Sequence, residues 1–101
     1  MGWPVVFTAL SQADLSEIVA FIAKDNPHAG ERFGNQLMDQ ALSIGAFPKL
    51  GRVVPELDDP NIREITFRSY RIVYELMAGP DAVYVLRFWH AARGKPNIRT
   101  A

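Results

Sequence analysis

Cysteine is absent from this 101-residue chain. That removes disulfide staples, thiolate zinc ligands and a cysteine nucleophile together. Stability must come from packing, aided by any partner, and a reducing compartment is permitted. No apolar run approaches the roughly 20 residues of a membrane span. The N-terminus has neither a basic stretch leading into a long apolar one nor a small-residue cleavage site. A soluble, cytoplasmic protein with no membrane association is expected. Lysine is scarce, with only Lys24, Lys49 and Lys95, and the formal net charge is +0. Charge alone therefore does not mark a strong nucleic-acid binder. There is no phosphate-cradling glycine loop, no pair of histidines at metal spacing and no HExxH. Neither a metal nor an organic cofactor is expected.

What is present suits one compact domain over residues 1–101, with 49% hydrophobic and 22% charged residues. The charges are segregated along the chain. Residues 1–60 hold Lys24, Arg32, Lys49 and Arg52 against Asp14, Glu17, Asp25, Glu31, Asp39, Glu56, Asp58 and Asp59, for a balance of −4. Residues 61–101 hold Arg63, Arg68, Arg71, Arg87, Arg93, Lys95 and Arg99 against Glu64, Glu75 and Asp81, for +4. An acidic first half and a basic second half follow.

Residues 4–8 form a short apolar run of strand length, and Ser11 is placed to cap a helix, with Asp14 near its exposed first-turn amides. Leu15, Ile18, Val19 and Ile22 recur at helical spacing, which predicts a helix over about 12–24. Asn26 and Pro27 provide the cap and first position of a second helix whose face carries Ala29, Phe33, Leu37, Ala41 and Ile44. Gly45 and Pro48 close it, giving an αα-hairpin. Residues 49–60 read as an irregular loop. Three strands are predicted at 62–67, 70–77 and 82–89, with separators short enough for hairpins. The predicted order is β-α-α-β-β-β, an α+β arrangement with the helical hairpin packed on a mainly antiparallel sheet.

Strand parity puts Ile72, Tyr74 and Leu76 on the helix side and Arg71, Val73 and Glu75 opposite. In the last strand it groups Tyr84, Leu86 and Phe88, leaving Val83, Val85, Arg87 and Trp89 on the other face. Arg71 and Arg87 can then share a sheet face that no helix covers. Such a face either serves a partner or is neutralised by Glu64 and Glu75 across the strands.

The segments DLSEIVAFIAKDNPHAGERF (14–33), FPKLGR (47–52), REITFRSYRIVYEL (63–76) and VLRFWHAAR (85–93) together resemble toxins of the RelE/ParE superfamily from bacterial type II toxin–antitoxin modules. The combination of YRIVYE with RFWHAAR carries most of the likeness, and its Trp-His pair is closer to the ParE-like branch. The resemblance implies a small α/β domain neutralised by a cognate antitoxin. ParE-like members poison DNA gyrase; RelE-like members cleave mRNA on the ribosome. On the ribonuclease reading the catalytic groups would be Arg71, His90 and Arg93, with His90 as general acid. The C-terminal tyrosine of some cleaving members has no match here, since Arg99 stands near that register. On the gyrase reading nothing performs chemistry, and Arg71, Arg87, Trp89, His90 and Arg93 are partner-binding candidates. The antitoxin is expected to place apolar anchors over Leu15, Ile18, Ile22, Phe33 and Leu37 of the hairpin, and acidic residues near Arg71 and Arg87.

Overall fold

A computed structural model describes residues 2–98. The elements are β1 (Val5–Phe7), α1 (Ala9–Ala23), α2 (Pro27–Ser43), a 3-10 turn (Ile44–Ala46), β2 (Arg52–Val53), β3 (Ile62–Phe67), β4 (Tyr70–Met77), β5 (Ala82–His90) and a second 3-10 turn (Ala91–Arg93). They build one five-stranded sheet in the order β1-β5-β4-β3-β2. The hairpins β3–β4 and β4–β5 are antiparallel, as the short separators require, whereas β1 runs parallel to β5. The two-residue β2 pairs with Arg63 and Glu64 of β3. It falls in the stretch read as loop, because two residues carry no alternation pattern.

Asn26 caps α2 as expected, its side chain accepting the Ala29 N–H at 3.0 Å ahead of Pro27. The start of α1 differs from the expectation. Thr8, not Ser11, is the cap, and the helix begins one turn earlier. The Thr8 hydroxyl donates to the Val85 carbonyl at 3.0 Å and accepts the Ser11 N–H at 3.1 Å, so β5 itself fixes the helix origin. The two helices approach closely at Gly30 and Gly34. A Cβ at Gly30 would lie 2.8 Å from the Val19 carbonyl, and one at Gly34 only 2.6 Å from a Val19 methyl. Alanine there would push the hairpin apart.

The main core lies between helices and sheet. Ile18, Leu37, Ala41 and Ile44 meet Ile72, Tyr74 and Leu76 of β4 and Val83, Val85 and Phe88 of β5. Each buried Val, Leu, Ile or Phe side chain among them contributes about 1.5–3 kcal/mol by leaving water. The β4 parity is as predicted; that of β5 is not. Val73 pairs with Arg87 but Tyr74 with Val85, so Leu86 is an extra residue in the ladder. This β-bulge turns Val83 and Val85 toward the helices while leaving Phe88 there too. Arg87 and Trp89 stay on the opposite face, as expected.

That opposite face is not bare. Val54 and Leu57 from the 49–60 loop and Ile98 from the C-terminal segment cover Ile62, Val73, Leu86 and Trp89, making a second, smaller core.

Candidate functional site

The strand arginines lie inside this second layer. Arg71 is 6% exposed and Arg87 8%. Arg71 donates Nε–H to Glu64 Oε1 at 2.6 Å and makes a two-pronged contact with Glu56, Nη2 to Oε1 at 2.6 Å and Nη1 to Oε2 at 2.9 Å. Its Nη1 also reaches the Gly94 carbonyl at 3.1 Å. The other Glu64 oxygen accepts Arg52 Nε–H at 2.6 Å, so a chain of alternating charge runs Arg52, Glu64, Arg71, Glu56. Hydrogen bonding from Arg71 holds the Glu56 carboxyl down at about 2, and the same contact, foremost, pushes the Arg71 guanidinium up from its ordinary value.

Arg87 is bound from the other side of the molecule. Its Nε and Nη2 donate to the two Asp14 oxygens at 2.7 and 2.8 Å, and Nη1 donates to the Asn97 carbonyl. Asp14 also accepts the Phe88 N–H at 3.1 Å, filling the β5 edge beyond the reach of β1. The hydrogen bond from Asp14 raises the Arg87 pKa. Bidentate contacts of this kind are among the strongest polar interactions a protein makes.

The expectation that Arg71 and Arg87 offer free guanidinium groups to a partner is therefore corrected. The acidic half of the chain supplies Glu56 to Arg71, beside Glu64 from the basic half, and Asp14 to Arg87. Segregation along the sequence becomes neutralisation in the fold. Asp14 does not serve the first-turn amides of α1; it crosses to β5. Trp89 is also buried, and its indole N–H donates to the Gly94 carbonyl at 3.1 Å.

His90 and Arg93 remain accessible at the end of β5. Arg93 is exposed and lies 3.8 Å above the Trp89 ring. His90 is half-buried, edge-on to Tyr70 at 5.1 Å, and its Nδ1 accepts the Ala92 N–H at 3.1 Å. Both line a shallow pocket of about 200 Å³ with Asp14, Glu17, Phe21 and Tyr70. Burial raises the Tyr70 pKa. Of the three groups considered for RNA cleavage, the fold brings His90 and Arg93 to one pocket and commits Arg71 elsewhere. Arg99 lies outside the described residues.

The hairpin residues expected to anchor an antitoxin face inward. Ile18 and Leu37 belong to the main core, and Leu15, Ile22 and Phe33 pack against it. The helical stripe that made them visible in the sequence is the one the sheet uses. Large apolar side chains that do reach solvent include Phe21, Leu42, Phe47 and Leu50. Periodicity missed them because Phe47 and Leu50 follow the helix and Leu42 lies off its buried stripe. Glu56 and Asp14 were missed as partners for lack of any local signal. Glu64 was legible: it lies opposite Val73, two residues from Arg71 on the same face.

Residues 5–94 match the family described as ParE toxin of type II toxin–antitoxin system, parDE. Among solved structures, the fold is similar to one from the chromosomal ParDE toxin–antitoxin system of P. aeruginosa, with TM-score 0.72, 15% identity and coverage of 87% of this chain and 95% of that one. It is also similar to one from the RelBE2 toxin–antitoxin complex of Mycobacterium tuberculosis, with TM-score 0.67, 18% identity and coverage of 89% and 92%. No curated protein matches the sequence. At such identities the structural likeness speaks for the fold, two helices on a five-stranded mixed sheet, while the family match spans nearly the whole sequence: this chain belongs to the ParE toxins of type II toxin–antitoxin systems.

Proposed function

We propose that this chain is a single-domain toxin, held inactive in the cytoplasm by a cognate antitoxin, which when free binds and poisons DNA gyrase. The observation that carries the gyrase reading is the state of Arg71. A ribonuclease must aim cations at the phosphate as charge builds in the transition state, and here the strand arginine is engaged by Glu56, Glu64 and the Gly94 carbonyl. Freeing it would leave the Glu64 carboxylate buried with one partner fewer, at a cost of several kcal/mol. The ParE family match supports the same branch. The antitoxin is supported by the neighbours in fold, which come from toxin–antitoxin systems. On this reading the accessible contacts with gyrase are His90 and Arg93 at the end of β5.

One observation favours a second reading, ribosome-dependent mRNA cleavage. His90 and Arg93 share a pocket with Tyr70, so a proton donor and a cation lie side by side. Purified toxin separates the two in parallel assays, one trapping gyrase cleavage complexes on supercoiled DNA and one mapping mRNA cuts by primer extension during translation. Trapped gyrase with intact mRNA is expected. Ribosome-dependent cuts with unaffected gyrase would reverse the assignment, and inactivity in both would leave only an interaction module.

A further inference from the structure

Phe21, 72% exposed, stands in the pocket of His90 and Arg93, but the other large exposed apolar side chains of the hairpin and the loop after it do not. They gather where the chain leaves α2. Phe47 is 68% exposed, Leu50 80% and Leu42 50%. Trp3 joins them between two adjoining hollows of about 470 and 690 Å³. Clustered apolar exposure of this kind marks an interaction surface more than scattered single residues do.

The platform beneath is fixed in place. The Trp3 N–H donates to the Gly45 carbonyl at 2.8 Å, and a Cβ at Gly45 would lie 2.5 Å from the Trp3 carbonyl, so the N-terminal segment and the 3-10 turn are in close contact. The loop carrying Leu50 hangs on the buried Tyr74, whose hydroxyl donates to the Pro48 carbonyl at 2.7 Å and accepts the Gly51 N–H at 3.1 Å. Arg63 adds bonds to the Lys49 and Gly51 carbonyls at 3.3 and 3.0 Å. An apolar surface held this firmly needs little ordering on binding.

Its charge is mostly of one sign, apart from Asp39, exposed one turn before Leu42 on α2. Residues 40–55 contain Lys49 and Arg52 and no acid, and residues 2–8 contain no charge at all. Neither hollow is lined by a carboxylate among the described residues. Lys49 is exposed beside Leu50, and the Arg52 side chain remains 65% exposed despite its contact with Glu64.

We propose that the Trp3–Leu42–Phe47–Leu50 surface is where a segment of the antitoxin docks, a segment whose apolar anchors are flanked by aspartate or glutamate. This rests on the toxin–antitoxin reading above and moves the anchor site from the hairpin stripe to the far end of α2. A second copy of this chain is the poorer occupant. In a two-fold interface Lys49 and Arg52 of both copies would face the same seam, and like charges there oppose association. An acidic-apolar segment meets both features of the surface together.

The test titrates purified toxin calorimetrically with its cognate antitoxin. The double variant Phe47→Ser/Leu50→Ser alters two side chains that face solvent, so an unchanged melting temperature is expected and confirms folding. Antitoxin affinity should fall by at least about 30-fold, as for the loss of central apolar anchors. Lys49→Glu should slow association several-fold at low salt, with the difference closing at high salt. Full affinity in the folded double variant would overturn the docking site while leaving the toxin–antitoxin reading standing. No binding by the unaltered toxin would overturn that reading and this site with it. Light scattering on the toxin alone checks the rival occupant: a dimer that Phe47→Ser/Leu50→Ser converts to monomer would assign the surface to a second copy.

Discussion

The two faces of this sheet are held down by different physics. On the helix side Leu37, Ile72, Tyr74, Val83, Val85 and Phe88 form an apolar core in which the Tyr74 hydroxyl is satisfied by the Pro48 carbonyl and the Gly51 N–H. On the other side, among the described residues, no α-helix covers the strands, and a loop and a C-terminal segment are fastened by Arg71 and Arg87 around a small apolar nucleus. Helices can bury a face by area alone. Irregular segments have little area to offer and leave backbone carbonyls needing donors. A guanidinium supplies several donors in one rigid group and so closes a loop that apolar contact would not.

Removing one residue from each face separates the two kinds of fastening. Phe88→Ala should cost about 3–5 kcal/mol, the transfer term plus the cavity left behind, measured by urea unfolding. Arg87→Ala should cost about 3 kcal/mol, because it strands the Asp14 carboxylate in a buried position. A double variant sharpens the contrast. Asp14→Leu/Arg87→Met removes both charges, and its loss in the same assay should be smaller than that of Arg87→Ala alone, since an apolar pair of similar volume carries no stranded charge. If the double variant is the worse of the two, the pair is a net stabiliser beyond this account.

Smaller effects are expected where the faces meet their edges. Thr8→Ala removes the cap of α1 and its link to β5, and should cost about 1 kcal/mol. The Glu56 clamp is best read by pH. Its folded pKa of about 2 lies below the ordinary 4.5 of a glutamate, so the stability it contributes is complete above about pH 5 and is lost as pH falls through 2. Glu56→Gln should lower stability modestly at pH 7 and flatten the acid limb of the stability profile. The two proteins should converge near pH 2.

The same contrast explains what was legible in the sequence. The helices, the β3–β4–β5 meander, the Asn26 cap and the face of β4 carrying Arg71 follow from local patterns with a period of two or about 3.6. The Glu64 partnership follows from hairpin register. The Leu86 bulge did not show, because an extra residue inside an apolar strand changes no residue type. The parallel β1 and the Asp14–Arg87 pair join positions more than 70 residues apart, a separation that no periodicity spans. Charge counting registered the −4 and +4 halves yet not their pairing, so it pointed to a basic surface where the fold has a neutralised interior.

Arg71 and Arg87 are internal fasteners, while Arg93 is exposed. Solvent exchange of the arginine Nε–H groups, followed by nitrogen-edited NMR on the labelled toxin, reads this residue by residue. Slow exchange at Arg71 and Arg87, unchanged by salt, beside fast exchange at Arg93 is the predicted result; equal, fast exchange at all three would contradict it.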